Sequence, residues 1–235
     1  KIETIEEPIV NVSEEIEIPE TEGEIIEVLG RQFTRVAEVK SIAIANKIET
    51  TFKNEVIARA EEVAVPVTKS ALIGRRDFRE DLTVTIDGED ARDFDDAVEI
   101  EKTKSGYVLG VHIADVSYYA QENSALDIEA RKRGTSVYLP SFVVPMLPEH
   151  LSNGLCSLNP NCDRLTMSVI IEFDLDGNIT NYRISEGVIN SKYRMTYKKV
   201  LGILKGDTKL SEEYSEITDS IHIMNELREK LKKAV

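Results

Sequence analysis

Thr85-Ile86-Asp87-Gly88-Glu89-Asp90-Ala91-Arg92-Asp93-Phe94-Asp95-Asp96-Ala97 is the stretch on which the reading of this chain turns. Six acids fall between Asp87 and Asp96 against one arginine. Carboxylates packed together repel, so they either splay into water or are held by a cation. The flanks favour the second outcome. Leu82–Ile86 and Ala97–Ile100 are apolar strand sequence, so the cluster is tied at both ends to a core. Oxygen ligands without His or Cys select Mg²⁺ or Mn²⁺ over zinc or copper. A calcium EF-loop is excluded, because its fifth and sixth positions would be Ala91 and Arg92. An aspartyl-phosphate nucleophile fits poorly, because Asp93-Phe94-Asp95 follows polar sequence instead of ending an apolar strand. Multi-carboxylate Mg²⁺ sites serve phosphoryl chemistry, which points to a phosphodiester or phosphomonoester substrate.

Working outward, Tyr107–Ile113 alternates like a strand and joins Ala97–Glu101 through a turn ending in Ser105-Gly106. Leu165–Phe173 and Ile179–Ile189 read as a hairpin around Asp176-Gly177. A helix over 124–133 is bounded by Ser124 as N-cap, Asp127 as capping-box acid and Gly134 as stop. Thr196 opens a further helix, and the chain is helical by composition from Ser211 onward. Towards the start, 46–64 is expected to be one helix with Asn46 as its cap and Pro66 as its stop. Residues 67–81 read as a linker. Residues 1–30 alternate crudely and read as short β-segments broken by Pro19 and Gly23.

Composition bounds the rest. The chain has 235 residues, 41% hydrophobic and 31% charged, enough for a real core of one large or two small domains. No apolar run approaches the roughly 20 residues of a membrane helix, and no signal segment opens the chain. A cytoplasmic protein with no membrane partner is the expectation. Cys156 and Cys162 form no CxxC pair, and the three histidines lie far apart, which disfavours zinc. The net charge of −14 argues at first against nucleic acid. However, ten glutamates and one lysine sit in residues 1–30, while the remainder holds 28 basic and 33 acidic groups. Bulk acidity is therefore largely an N-terminal property. Residues 187–199 carry four positive charges, no acid and two tyrosines, a pattern suited to a single-strand channel.

The acidic stretch resembles the signature of the RNB catalytic domain, found in ribonuclease II, ribonuclease R and exosome exoribonucleases. The resemblance continues through His112-Ile113-Ala114-Asp115-Val116-Ser117 and Arg133-Gly134-Thr135-Ser136-Val137-Tyr138-Leu139-Pro140. It goes on through Pro145-Met146-Leu147-Pro148, Leu151-Ser152-Asn153-Gly154-Leu155-Cys156-Ser157-Leu158 and Met195-Thr196-Tyr197. The bacterial ribonuclease R branch looks most similar. The fold so implied is α/β (α+β): a strand-rich RNB core with flanking helices over 82–235. A β remnant of an OB-type cold-shock module over 1–45 and a helix and linker over 46–81 would precede it.

The resemblance implies Mg²⁺-dependent hydrolysis of single-stranded RNA from its 3′ end, with Mn²⁺ as an alternative metal. Asp87 and Asp96 would be metal ligands, Asp93 would support the metal shell, and Asp95 would serve the chemical step. Tyr138 would clamp the terminal base by stacking, and Tyr197 with Lys192 and Arg194 would lie along the RNA path. No protein partner is implied. His112 and Asp115, on opposite faces of a strand by alternation, read as structural. The resemblance also implies a domain that continues past Val235, so this chain is expected to be a fragment with little nuclease activity by itself. Two other readings compete: an RNB-like protein that binds and regulates RNA without cutting, and a phosphohydrolase of small nucleotides.

Overall fold

The computed structural model describes residues 27–31, 33–140 and 142–233. Two helices come first, α1 (Arg35–Ala45) and α2 (Asn54–Val63). Four strands follow: β1 (Arg76–Phe78), β2 (Val84–Asp87), β3 (Asp96–Lys102) and β4 (Gly106–Ala114). Next come α3 (Val116–Tyr119), α4 (Ala125–Arg133), the short pair β5 (Val137–Tyr138) and β6 (Val143–Val144), and a wide helical turn at His150–Leu155. The long hairpin β7 (Asp163–Asp174) and β8 (Ile179–Asn190) leads to β9 (Tyr193–Thr196). The described residues end with α5 (Tyr197–Leu204), α6 (Thr208–Glu213) and α7 (Ser215–Leu231).

Seven strands form one mixed sheet in the order β1-β8-β7-β4-β3-β2-β9. The inner ladders are antiparallel, whereas β1 joins β8 and β9 joins β2 in parallel. Alternation explains the layering, because successive side chains leave opposite faces. One face carries Val84, Met195, Tyr107 and Phe173, which are covered by Ile203 of α5 and by Ile217, Ile221 and Leu227 of α7. The other carries Phe78, Ala97, Ala114 and Ile189, packed under Phe94 and Leu158. A third cluster joins α2, α4 and the 150–155 turn through Val56, Leu126 and Leu151. Each such fully buried aliphatic contributes about 1.5–3 kcal/mol.

Local signals place most of these elements. Ser124 Oγ accepts the Asp127 N–H at 3.3 Å at the head of α4, and Gly134, at φ 74°, closes it. Gly177, at φ 92°, turns the β7–β8 hairpin. Two expectations are corrected. Asn46 does not start a helix; it ends α1, where its Nδ2 donates to the Ile42 carbonyl at 2.8 Å, and α2 begins eight residues later at Asn54. A short amide serves a C-terminal carbonyl as readily as an N-terminal N–H, so the residue type alone does not tell the two ends apart. The linker 67–81 contains β1, whose partner lies more than a hundred residues away and is invisible to local pattern. The expected β remnant over 1–45 falls mainly on residues 1–26, outside the described ones, while Arg35–Ala45 within it is helix, capped by Thr34. The stretch expected to be helical from Ser211 onward forms the end of α6 and all of α7, which meet at Tyr214.

Candidate active site

β2 ends at Asp87 and β3 starts at Asp96, so the acidic stretch is the connection between two neighbouring strands. These strands are paired only at Val84–Val98. Beyond that pair they separate, and residues 88–95 fill the gap as an irregular loop. Two internal anchors fix the second half of the loop. Phe94 is buried among Ala97, Ala114 and Leu158. Ser157, also buried, accepts the Phe94 N–H and donates to the Arg92 carbonyl, each at 3.0 Å. The Phe94 carbonyl accepts the Leu158 N–H at 2.8 Å, and the Asp95 carbonyl accepts that of Ala114 at 2.9 Å.

Burying Phe94 leaves its neighbours on the cleft side. Asp93 and Asp95 line a cleft of about 350 Å³ with Ile113, Ser136, Tyr138 and Cys156. Tyr138 is 70% exposed, and its hydroxyl donates to Asp93 Oδ2 at 3.3 Å. Burial first, then the charges of Asp96, Asp93 and Asp95, pushes Asp87 above the usual carboxylate range, while Arg194 pulls it down. Asp95 is raised by burial, then by Asp93 and Asp96. The four signature aspartates thus stand within electrostatic reach of one another, although strand alternation alone would separate Asp96 from Asp93 and Asp95. The loop geometry is what re-aims them.

A hard divalent cation matches this donor set, because all the ligating atoms are carboxylate oxygens and their mutual repulsion is what a cation relieves. Among the described residues, no three His, Cys, Asp or Glu side chains converge closely enough to ligate an ion as they stand. The carboxylates fit the ion in chemistry and charge and would have to close on it.

Tyr197, the first residue of α5, is 65% exposed beside the Asp87–Thr196 register pair. It opens onto a separate, mostly apolar groove of about 410 Å³ lined by Ile86, Leu201 and Met224. Two expected RNA contacts are engaged elsewhere. Lys192 Nζ donates to the Arg79 carbonyl at 2.6 Å. Arg194 Nη2 reaches the carbonyls of Gly88, Glu89 and Ala91 at 3.3, 2.7 and 3.2 Å. Because β9 pairs with β2, these long side chains are delivered to the protein's own backbone. His112 is buried, with Nδ1 at 2.8 Å from Ser168 Oγ, and Asp115 pairs with buried Arg75 at 2.6 Å. The basic run Arg131–Arg133 is also internal in use. Lys132 and Arg133 bind Glu49 and the carbonyl of Thr51, and Arg133 stacks on Phe52. Ser157, within the motif Leu151–Leu158, carries no sign of this role in the sequence beyond being a small polar residue inside an apolar run.

The family model that matches residues 75–234 is that of the RNB domain. Ribonuclease R 1 of Lactococcus lactis is 46% identical over 213 residues, which is 90% of this chain and 26% of that protein. Ribonuclease R of Thermotoga maritima is 47% identical over 216 residues, 91% of this chain and 30% of its own length. The solved structure of Mycoplasma genitalium RNase R in complex with double-stranded RNA matches with a TM-score of 0.81 and 31% identity. That match covers 88% of this chain and 37% of the other. The chain therefore spans between a quarter and a third of the length of these two relatives.

Proposed function

The chain belongs to the RNB domain family, and from that premise we propose that it carries the acidic site of a Mg²⁺-dependent hydrolytic 3′→5′ exoribonuclease acting on single-stranded RNA. The observation that carries the reading is the braced loop, which sets Asp93 and Asp95 into one cleft with exposed Tyr138. The cytoplasmic setting expected from the sequence is part of the proposal.

Asp87 and Asp96, with Asp93 in support, would hold Mg²⁺ or Mn²⁺, which when bound polarises a phosphodiester and lowers the pKa of water. Tyr138 presents an aromatic face on which any base can stack, which suits an activity indifferent to sequence. Asp95 would accept a proton from the attacking water. The water oxygen bonds to phosphorus, the bond from phosphorus to the preceding O3′ breaks, and that oxygen takes up a proton. The product is a nucleoside 5′-monophosphate. Phe94 and Leu158 keep water from the back of the loop. Tyr197 would meet the strand further along.

The full-length gene product is tested on 5′-labelled single-stranded RNA with Mg²⁺, beside Asp95→Asn. Stepwise shortening from the 3′ end that Asp95→Asn abolishes is the expected result. RNA that stays intact yet bound, in a manner dependent on Tyr138, would overturn the catalytic reading in favour of a non-cutting RNA-binding regulator.

A further inference from the structure

We propose that Arg194 is the positioning residue of the acidic loop, a brace that holds the loop's first half in the shape from which Asp87 and its neighbours can close on a divalent cation. The inference deepens the acidic-site reading and rests on it for the cation. The brace itself rests on geometry. Arg194 stands in β9 opposite Thr85 of β2, so it leaves the sheet on the same face as Asp87. Its Nη2 gathers the carbonyls of Gly88, Glu89 and Ala91. Its guanidinium lies 5.2 Å from the centre of the Phe94 ring. Its Nε is buried without a protein partner, and the residue as a whole is half-buried.

The loop then has two anchors from two distant elements. Ser157 holds Arg92–Phe94, and Arg194 holds Gly88–Ala91. Within residues 88–91 the one other backbone hydrogen bond is the internal link from Ala91 N–H to the Gly88 carbonyl at 3.3 Å. Three carbonyls turned toward one guanidinium fix the path of the chain between Asp87 and Arg92. All three contacts come from Nη2, which the guanidinium holds in a fixed plane, whereas a lysine ammonium is a point charge on a flexible stem.

The brace makes a prediction whose sign is unusual. Removing a positive charge beside a cation site should tighten cation binding by Coulomb's law. If Arg194 braces the loop, Arg194→Met should instead weaken it, because the carboxylates lose their common frame. Arg194→Lys keeps the charge and loses the planar head that fixes the donor, so it should fail in the same direction. The chain is studied by amide hydrogen exchange without metal and by Mn²⁺ titration followed by electron paramagnetic resonance. Both variants are expected to exchange about tenfold faster over residues 88–94, with protection in β7 and β8 unchanged. Mn²⁺ affinity should fall by about tenfold or more.

Unchanged loop exchange, or Mn²⁺ binding tightened by Arg194→Met and untouched by Arg194→Lys, would overturn the brace. If Arg194→Met loses protection across β7 and β8 and so fails to fold, Arg194→Lys decides by the same criteria. A wild-type chain that binds no Mn²⁺ would refute the acidic-site reading, while the exchange data would still decide for or against the brace.

Discussion

Cys156 shows how burial sets the chemistry of a single residue. It lies at the edge of the acidic cleft, yet its side chain is buried, and burial pushes its thiol up to about 12. The thiolate is the reactive form, so the native chain should leave Cys156 unmodified by iodoacetamide at mildly alkaline pH while the less buried Cys162 reacts. Mass spectrometry of the digested protein checks this, and equal labelling of both cysteines before unfolding would contradict it. Residue roles were legible in the sequence where the backbone alone decides them. Ser124, Thr196 and Gly134 act at helix ends, as their types imply. The backbone contacts of Lys192 and Arg194 were not legible, for a physical reason. A long basic side chain reaches acceptors several ångströms off its own strand, and which acceptors lie there depends on strands remote in sequence.

At the scale of elements, the strands and the β7–β8 hairpin were legible because alternation and a Gly turn are local. The β1–β8 and β2–β9 pairings were not, since parallel partners need no local signal. Gly187 sits where β1 meets β8. A Cβ there would fall 2.8 Å from Ser168 Oγ, 2.9 Å from Phe78 and 2.9 Å from Thr166 Oγ1. Gly187→Ala should therefore push apart a packed junction and destabilise the chain by about 1–3 kcal/mol. A lowered urea midpoint with an unchanged slope is the expected reading. An unaltered midpoint would show that the neighbours give way freely.

The whole molecule carries the cost of gathering carboxylates. Asp87 and Asp95 are held above the usual range by burial and by their acidic neighbours. The folded chain thus keeps protons that the unfolded chain releases. The contribution of these two groups is fully favourable below the unfolded aspartate value of about 3.9 and is lost as pH rises through their folded values. The double variant Asp87→Asn, Asp95→Asn should be more stable than the parent near neutral pH, with the gain shrinking on acidification. Saturating Mg²⁺ should stabilise the parent and leave the double variant unchanged. Urea melts across pH, with and without Mg²⁺, test both statements, and a double variant no more stable than its parent at neutrality would refute the first. What the sequence showed at this scale was the acid cluster tied to a core. The closeness of the four charges came from the loop, whose shape depends on Ser157 and Arg194, residues from well downstream.

That dependence has a temporal side. β2 must wait for β9 on one edge, since the pair Asp87–Thr196 joins residues more than a hundred positions apart. A ribosome adding roughly 5–20 residues per second needs about 5–20 s to travel that distance. Throughout that interval the nascent acids have left the tunnel without their brace, so the part of the chain that would grip a metal is among the last to take shape.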